Sequence, residues 1–130
     1  MPVSVRQSSA IPLSDGRVCM VTSSSGRRWV LPKGLIDPGH TPGEAALVEA
    51  WEEAGLVGVL DPEPVGSYVY EKLGRECLVL VYRMTVTEVR DDWPEKGMRE
   101  RVWLAPGEVL ERVEEPGLRE ILRLAFAAPR

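Results

Sequence analysis

Apolar residues along this chain follow two spacings, one typical of strands and one typical of helices. Residues 77–82 (CLVLVY) are almost continuously apolar, which predicts a central strand covered on both faces. Near the end of the chain, four apolar residues recur at helical spacing and predict a closing helix that packs on the core: Leu118, Ile121, Leu122 and Ala125.

Gly and Pro residues separate further short segments of the same two kinds. Strands are predicted at residues 5–13, 16–22, 29–31, 66–70, 76–86 and 100–104. A short helical piece is predicted at 106–113, a helix at 117–127 and a loop at 91–98. Asp15-Gly16 and Leu73-Gly74 favour hairpin turns between successive strands. Strands mixed with helices predict an α/β (α+β) fold, a central sheet covered on both faces.

Composition indicates one ordinary globular domain over residues 1–130, with 44% hydrophobic and 28% charged residues. No stretch approaches the roughly 18 apolar residues of a membrane span, and residues 1–4 lack the pattern of a signal peptide. Cys19 and Cys77 lie among apolar neighbours in predicted strands, which favours buried free thiols over a metal site or a nucleophile. We therefore expect a cytoplasmic location and no membrane partner.

The formal net charge of −4 argues against a general nucleic-acid surface. The net charge is compatible with a phosphorylated small molecule as ligand, because metal ions and a local basic patch can neutralise a polyanion. The basic residues are in fact grouped: Arg27 and Arg28 form one pair, and Lys96, Arg99 and Arg101 form a second group. Either group is a candidate for a phosphate-binding rim.

Three glutamates, Glu49, Glu52 and Glu53, carry the strongest chemical signal. At about 100° per residue their carboxylates lie within roughly a third of a helical turn. No Lys or Arg between Lys33 and Lys72 offsets their repulsion. A solvated acidic face would explain them, but so would a bound Mg²⁺, which takes carboxylate oxygens and keeps waters for a phosphate to displace.

The residues around these glutamates predict a helix of about three turns. Thr41, Pro42 and Glu44 form a capping start, and Gly55 is placed to end the helix in a left-handed conformation. One face of this helix is apolar and is expected to pack on the core: Leu47, Ala50, Trp51 and Ala54. Such a helix would hold its carboxylates on a rigid support.

Residues 34–56 resemble the signature box of the Nudix hydrolases. In that box a glycine is followed six residues later by a glutamate. Eight residues after this glutamate come Arg-Glu, an apolar residue, any residue, Glu-Glu, any residue, Gly and an apolar residue. The matching positions are Gly34, Glu49, Ala50, Glu52, Glu53, Gly55 and Leu56. Two positions depart from the pattern, since His40 replaces the first glutamate and Val48 replaces the arginine.

The departure at Val48 bears on mechanism. An arginine there would lie four residues before Glu52 and could pair with it along the helix, and in the family this arginine is thought to orient a catalytic glutamate. Arg27, Arg28 or Lys33 could reach the site instead. His40 either takes a polar role at the end of the loop or is a solvated surface residue.

The second half of the chain resembles the diphosphoinositol polyphosphate phosphohydrolase branch, which also cleaves diadenosine polyphosphates. Residues 86–88 (VTE), 91–93 (DDW) and 99–103 (RERVW) carry this resemblance, and Lys33 departs from the glycine common in the branch. It implies a Nudix-type α/β/α sandwich with a central mixed sheet. It also implies a small-molecule phosphoanhydride substrate of the diphosphoinositol polyphosphate or dinucleoside polyphosphate type.

The resemblance assigns roles residue by residue. Metal ligands for Mg²⁺ (or Mn²⁺) would be Glu49, Glu52, Glu53 and the main-chain carbonyl of Lys33, with Glu52 and Glu53 also catalytic. Substrate-binding residues would be Arg28, Lys33, Gly34, Arg99 and Arg101. The general base is either one of these glutamates or an acidic residue of the following loop, where Glu95 and Glu100 are the candidates.

A second hypothesis is a Nudix-fold ligand-binding or sensor protein with impaired catalysis, which the loss of the box arginine would accompany. Retention of all three metal-positioned glutamates favours the enzyme. Either protein would be a monomer or a homodimer.

Overall fold

Two long strands, β1 (Val5–Ser14) and β7 (Arg75–Val89), form the centre of the sheet in the computed structural model, which describes residues 5–127. They run parallel and pair from Val5–Cys77 to Leu13–Thr85. The other strands pair antiparallel to their neighbours, so the sheet is mixed: β2 (Arg17–Thr22), β3 (Trp29–Val30), β4 (Lys33–Leu35), β5 (Leu56–Leu60), β6 (Gly66–Lys72) and β8 (Arg101–Leu104).

Within residues 5–127 three helices accompany the sheet: α1 (Pro42–Ala54), α2 (Pro106–Arg112) and α3 (Pro116–Ala127). Neighbouring strand residues point to opposite faces, so Ala10 packs in the cluster beneath α1 while Ile11 packs beneath α3. The α1 cluster contains Ala46, Ala50, Ala54, Tyr82 and Met84. The α3 cluster contains Val79, Val81, Leu118, Ile121 and Leu122. The predicted sandwich with a helix layer on each face is confirmed.

Helix α1 begins and ends as its sequence predicts. The Thr41 hydroxyl accepts a hydrogen bond from the Glu44 backbone N–H at 3.1 Å, and the Glu44 carboxylate accepts one from the Thr41 N–H at 2.8 Å. Gly55 then takes a φ of +69° and turns the chain out of the helix. A side chain at this position would also meet the Trp93 ring at 2.9 Å, so glycine is required for two reasons.

Two strands were not predicted. Strand β4 has only three residues, too few for a periodic pattern to be recognised, and it is held by pairing with Gln7, Ser8 and Ser9 of β1. Strand β5 starts directly after Gly55 with no intervening turn, and its exposed Val57 and Val59 hide the expected alternation. Pairing with β7, which is remote in sequence, decides both the existence and the position of β5.

The expectation that Trp51 packs in the core is wrong. The residue is only half-buried, and the Arg90 guanidinium lies 5.7 Å from its ring centroid. The three alanines of the same helix fill the core beneath α1, which leaves the large indole at the edge.

Cys19 and Cys77 are buried and free, as expected, and burial raises the pKa of Cys19 to about 12.

Over residues 5–127 no helix is long and apolar enough to cross a bilayer. The expectation about a signal peptide concerns residues 1–4, which lie outside the described residues.

The second hairpin turn contains a stability defect that one substitution should remove. Leu73 has a φ of +54° and is 94% exposed, so its side chain gains little from packing. A left-handed conformation costs an ordinary residue roughly 1–2 kcal/mol, whereas Asn before Gly adopts it readily. Leu73→Asn is expected to raise the free energy of unfolding in urea by about 1 kcal/mol.

The first hairpin supplies the matched control, because Asp15 has a φ of +50° before Gly16. Asp15→Leu should lower the free energy of unfolding by a similar amount. Equal stability of the Leu73→Asn variant and the unchanged protein would contradict this account of the turn.

Candidate active site

The carboxyl group of Glu49 rests against the backbone of Gly34, where β4 passes beneath α1. A Cβ built on Gly34 would overlap the Glu49 carboxyl and would come within 2.6 Å of Oε2. The absence of a side chain at Gly34 therefore creates the space that Glu49 occupies. This contact explains in physical terms why a glycine at this position is needed.

Glu53 is the most buried of the three glutamates, with only 5% of its surface exposed. Its Oε1 accepts a hydrogen bond from the Lys33 backbone N–H at 3.3 Å, and its Oε2 lies 3.7 Å from Nη2 of Arg99. Its carboxyl group also contacts that of Glu49. Burial raises the pKa of Glu53 to about 8, with Arg99 acting in the opposite direction and Glu49 adding to the rise.

Glu49 and Glu53 form the converging pair, and Glu52 lies beside it. Burial raises the pKa of Glu49, and the negative charges of Glu52 and Glu95 add to that rise. Across residues 5–127 no three His, Cys, Asp or Glu side chains are grouped closely enough to hold a metal ion without other ligands. The structure thus brings two of the three predicted ligands into contact.

The loop of residues 90–100 is docked on the last turn of α1. The Glu95 backbone N–H donates to the Glu52 carbonyl at 3.0 Å, and the Trp93 indole N–H donates to the Glu53 carbonyl at 3.1 Å. Arg101 Nη1 donates to the Ala54 carbonyl at 2.8 Å. The loop therefore stands next to the carboxylates because it satisfies the carbonyl groups behind them.

Among the basic residues predicted to bind substrate, Arg99 and Arg101 are both engaged by the protein itself. Arg99 binds Glu95, the Thr22 carbonyl and Glu53. Arg101 stacks on Trp93, with its guanidinium carbon 4.1 Å from the ring centroid, and caps Ala54.

A cleft of about 450 Å³ opens in front of Glu53. Four basic and three acidic side chains line it together with polar and apolar residues: Arg28, Lys33, Lys72, Arg99, Glu53, Glu71, Glu115, Ser23, Ser24, Val30, Leu31 and Tyr70. Four of the predicted site residues, Arg28, Lys33, Glu53 and Arg99, therefore meet in this cleft. The other predicted site residues do not line it: Gly34, Glu49, Glu52 and Arg101.

Lys33 and Arg28 differ in their freedom to bind an anion. The Lys33 ammonium lies 5.1 Å from the Tyr70 ring centroid, and burial lowers its pKa. Arg28 is paired with Glu115 at 3.1 Å and with Glu114 at 3.3 Å. A phosphate would meet Lys33 directly but would compete with two carboxylates for Arg28.

Sequence reasoning did not find Glu115, Tyr70 or Thr22 as residues of this region. Glu115 precedes α3 and reaches the cleft only because it pairs with Arg28, 87 residues earlier in the chain. Neither of the two loop candidates for a general base lines the cleft, but Glu95 is close enough to raise the pKa of Glu49, whereas Glu100 is exposed.

The residues present fit a hard divalent cation. Two carboxyl groups in contact repel one another unless a proton or a cation lies between them, and Mg²⁺ is usually held by one or two carboxylates together with substrate phosphates. Ser8 faces Gly34 across the β1–β4 pair, and its fully buried hydroxyl has no hydrogen-bond partner within the described part of the chain. The carboxyl groups of Glu49 and Glu53 therefore offer oxygen ligands, and Ser8 adds a buried hydroxyl on the strand that pairs with Gly34, against which the Glu49 carboxyl rests.

A mixed sheet between helix layers, with an acidic helix facing a basic cleft, defines a Nudix-type domain. The chain belongs to the NUDIX domain family, whose pattern matches residues 5–125. Members of this family act on small molecules and generally use divalent metal ions.

Two sequence relatives show how far the similarity extends. Nudix hydrolase 12, mitochondrial, from Arabidopsis thaliana is 39% identical over 119 residues, which cover 82% of this chain and 59% of that protein. Diphosphoinositol polyphosphate phosphohydrolase 2 from Homo sapiens is 36% identical over 92 residues, 68% of this chain and 49% of that protein. The chain spans only 52–65% of the length of the four first-ranked relatives.

Solved structures share the fold at lower identity. A NUDIX hydrolase from Nitrosomonas europaea superposes with a TM-score of 0.79 at 18% identity, over 96% of this chain and 90% of that chain. The Ap4A hydrolase of C. elegans gives a TM-score of 0.76 at 20% identity, over 97% of this chain and all of that chain.

The contact between Gly34 and Glu49 can be tested by adding one methyl group. Gly34→Ala should displace the Glu49 carboxyl and weaken Mn²⁺ binding by about tenfold, measured by calorimetry. Gly107→Ala is the control, because a Cβ there meets nothing within 4 Å. Unchanged Mn²⁺ affinity in a folded Gly34→Ala protein would show that Glu49 is not a ligand.

Proposed function

We propose that this protein is a metal-dependent pyrophosphohydrolase that cleaves a phosphoanhydride bond in a phosphorylated small molecule. The observation that carries the proposal is the pair of adjoining carboxyl groups, Glu49 and Glu53, of which Glu53 lines a cleft that also contains Lys33, Arg28 and Arg99. Negative groups that bind a cation and positive groups that meet a phosphate are thereby placed side by side.

The proposed reaction is in-line attack of water on phosphorus, which needs positioning of the water and stabilisation of charge on the phosphoryl oxygens. A bound Mg²⁺ or Mn²⁺ would supply a Lewis acid and lower the pKa of coordinated water. Glu49, Glu53 and the main-chain carbonyl of Lys33 would hold it, with Glu52 as a further ligand. Lys33 would bind a phosphate of the substrate, and Gly34 would let the chain approach closely.

Four glutamates are the candidates for the general base: Glu49, Glu52, Glu53 and Glu95. Among the loop residues Glu95 is favoured over Glu100, because Arg99 Nε holds its carboxylate at 2.7 Å beside Glu53. A base must lie within hydrogen-bond reach of the water, or one water away, which favours a carboxylate at the cleft wall.

The charge balance of the cleft ranks the two proposed substrate types. Only Lys33 and Lys72 line it without a carboxylate partner within the described residues, while Glu71 and Glu115 add negative charge. A diphosphoinositol polyphosphate carries phosphates around its whole ring and needs many cations. A dinucleoside polyphosphate has fewer phosphates and flat bases that could pack on Tyr70, so we place it first.

The first test is hydrolysis with Mg²⁺ or Mn²⁺ and a panel of dinucleoside polyphosphates, diphosphoinositol phosphates and nucleotide sugars. Cleavage of a phosphoanhydride bond is expected. We expect kcat/KM to be about tenfold higher for the dinucleoside polyphosphates than for the diphosphoinositol phosphates, which corresponds to about 1.4 kcal/mol. Glu53→Gln should lower kcat by at least about 100-fold, because its carboxylate both binds metal and borders the reacting water.

Glu111→Gln on the exposed face of α2 is the matched control and should keep full activity. Absence of turnover on every substrate, or full turnover by Glu53→Gln, would refute the enzymatic proposal. Preference for diphosphoinositol phosphates would reverse only the substrate ranking.

The second candidate function is a sensor, and Val48 is the observation in its favour. Within residues 5–127 no ion pair involves Glu52, so nothing there replaces an arginine at position 48. A sensor would bind a phosphoanhydride with metal and leave it intact.

Val48→Arg separates the two functions. It supplies Glu52 with a partner one turn away, worth about 0.2–0.5 kcal/mol, and should raise kcat up to about twofold. Unchanged kcat would mean that another residue already orients Glu52. Binding without turnover in both proteins would favour the sensor.

The proposal includes a monomer or homodimer in the cytoplasm. These two points stay predictions, and several relatives carry mitochondrial names.

A further inference from the structure

Arg99 stands between two carboxylates that belong to different parts of the chain. Its Nε donates to Glu95 Oε1 in the loop at 2.7 Å, and its Nη2 lies 3.7 Å from Glu53 Oε2 on α1. Its Nη1 donates to the Thr22 carbonyl at the end of β2 at 2.8 Å. Each of the three guanidinium nitrogens thus faces an oxygen of a different element.

The position of Arg99 is itself fixed by the backbone on its C-terminal side. The Glu100 N–H donates to the Thr22 hydroxyl at 3.1 Å, and the Thr22 N–H donates to the Glu100 carbonyl at 3.0 Å. The Arg99 side chain is only 17% exposed. A buried guanidinium held in this way has little freedom to turn toward a ligand in the cleft.

Glu53 is in turn held from two sides. The Lys33 N–H binds Oε1, and Arg99 faces Oε2, so rotation of the carboxylate would break contacts with both. Glu95 is the other charged group on Arg99, and it lies in the loop that is docked on the last turn of α1. The guanidinium therefore fixes the distance between a proposed metal ligand and a proposed base.

We propose that Arg99 is a positioning residue, which sets the orientation of the Glu53 and Glu95 carboxylates, rather than a phosphate ligand. The inference depends on the proposed function of Glu53. Arginine suits this task because its planar fork presents donors in fixed directions on three nitrogens, whereas the donors of a lysine ammonium all lie on one nitrogen.

The test uses Arg99→Lys and Arg99→Gln. Both variants should bind Mn²⁺ about tenfold more weakly by calorimetry, and kcat should fall by about 10–100-fold while KM stays within about twofold. Arg99→Lys should retain more activity than Arg99→Gln, because it keeps the charge. The split between kcat and KM separates this role from direct binding of substrate.

The matched control is Arg90→Gln, which removes a neighbouring arginine whose exposed guanidinium pairs with Glu88 at 2.9 Å. It should leave Mn²⁺ affinity, kcat and KM unchanged. The indole N–H resonance of Trp93 in an NMR spectrum reports whether the loop stays docked, because this group donates to Glu53 O without the help of Arg99.

Three outcomes would overturn the inference. A rise in KM with unchanged kcat and Mn²⁺ affinity would make Arg99 a phosphate ligand. If kcat, KM and Mn²⁺ affinity equal those of the unchanged protein, Arg99 is dispensable. If the loop is undocked in Arg99→Lys, Arg99 is a structural anchor. If Arg99→Gln does not fold, Arg99→Lys decides the question.

The Mn²⁺ measurement also separates this inference from the proposed function. If the unchanged protein hydrolyses no substrate, the proposed function fails. A loss of Mn²⁺ affinity in both Arg99 variants would still support the positioning role.

Discussion

The hydrogen bonds at the C-terminal end of α1 hold the rest of the site in place. A helix leaves its last carbonyl groups without partners, and a buried one left unpaired costs roughly 1–3 kcal/mol. In this protein every carbonyl group from Ala50 to Gly55 accepts a hydrogen bond. The donors are the backbone N–H groups of Gly55, Glu95 and Arg90, the indole N–H of Trp93 and the guanidinium of Arg101. The helix that carries the glutamates is therefore locked to the loop that carries Glu95 and Arg99.

Local signals made much of the fold predictable. The capping box at Thr41, the Gly55 stop and the two hairpin turns depend on residues adjacent in sequence, and each was found at its predicted place. The strands β4 and β5 were missed because their pairing partners on β1 and β7 decide them. Trp51 was misplaced because helical spacing does not tell which of several apolar residues fits the space beneath the sheet.

The candidate site also contains features that local sequence predicts and features that depend on residues remote in the chain. The spacing of Glu49, Glu52 and Glu53 predicted that the three carboxylates share one face of a helix, and the structure brings two of them, Glu49 and Glu53, together. The resemblance to Nudix hydrolases added Lys33 and Gly34. The partners of Arg28 and Arg99 could not be predicted, because Glu115 and Thr22 are 87 and 77 residues away from them in the chain. Sequence shows which residues are basic, but only contacts show which of those charges are already neutralised.

A basic residue near a phosphate can either hold neighbouring carboxylates in place or bind the phosphate itself. Which of the two it does depends on whether carboxylates of the protein already neutralise its charge. Arg99 is buried against Glu53 and Glu95, so moving it to a ligand would leave two carboxylates without their cation, one of them deeply buried. Within residues 5–127 the Lys33 ammonium has no carboxylate partner and lies over the Tyr70 ring. Burial lowers its pKa, so a phosphate would stabilise its charged form. The same cleft thus holds one cation that orders the acidic groups and another that gains most from binding an anion.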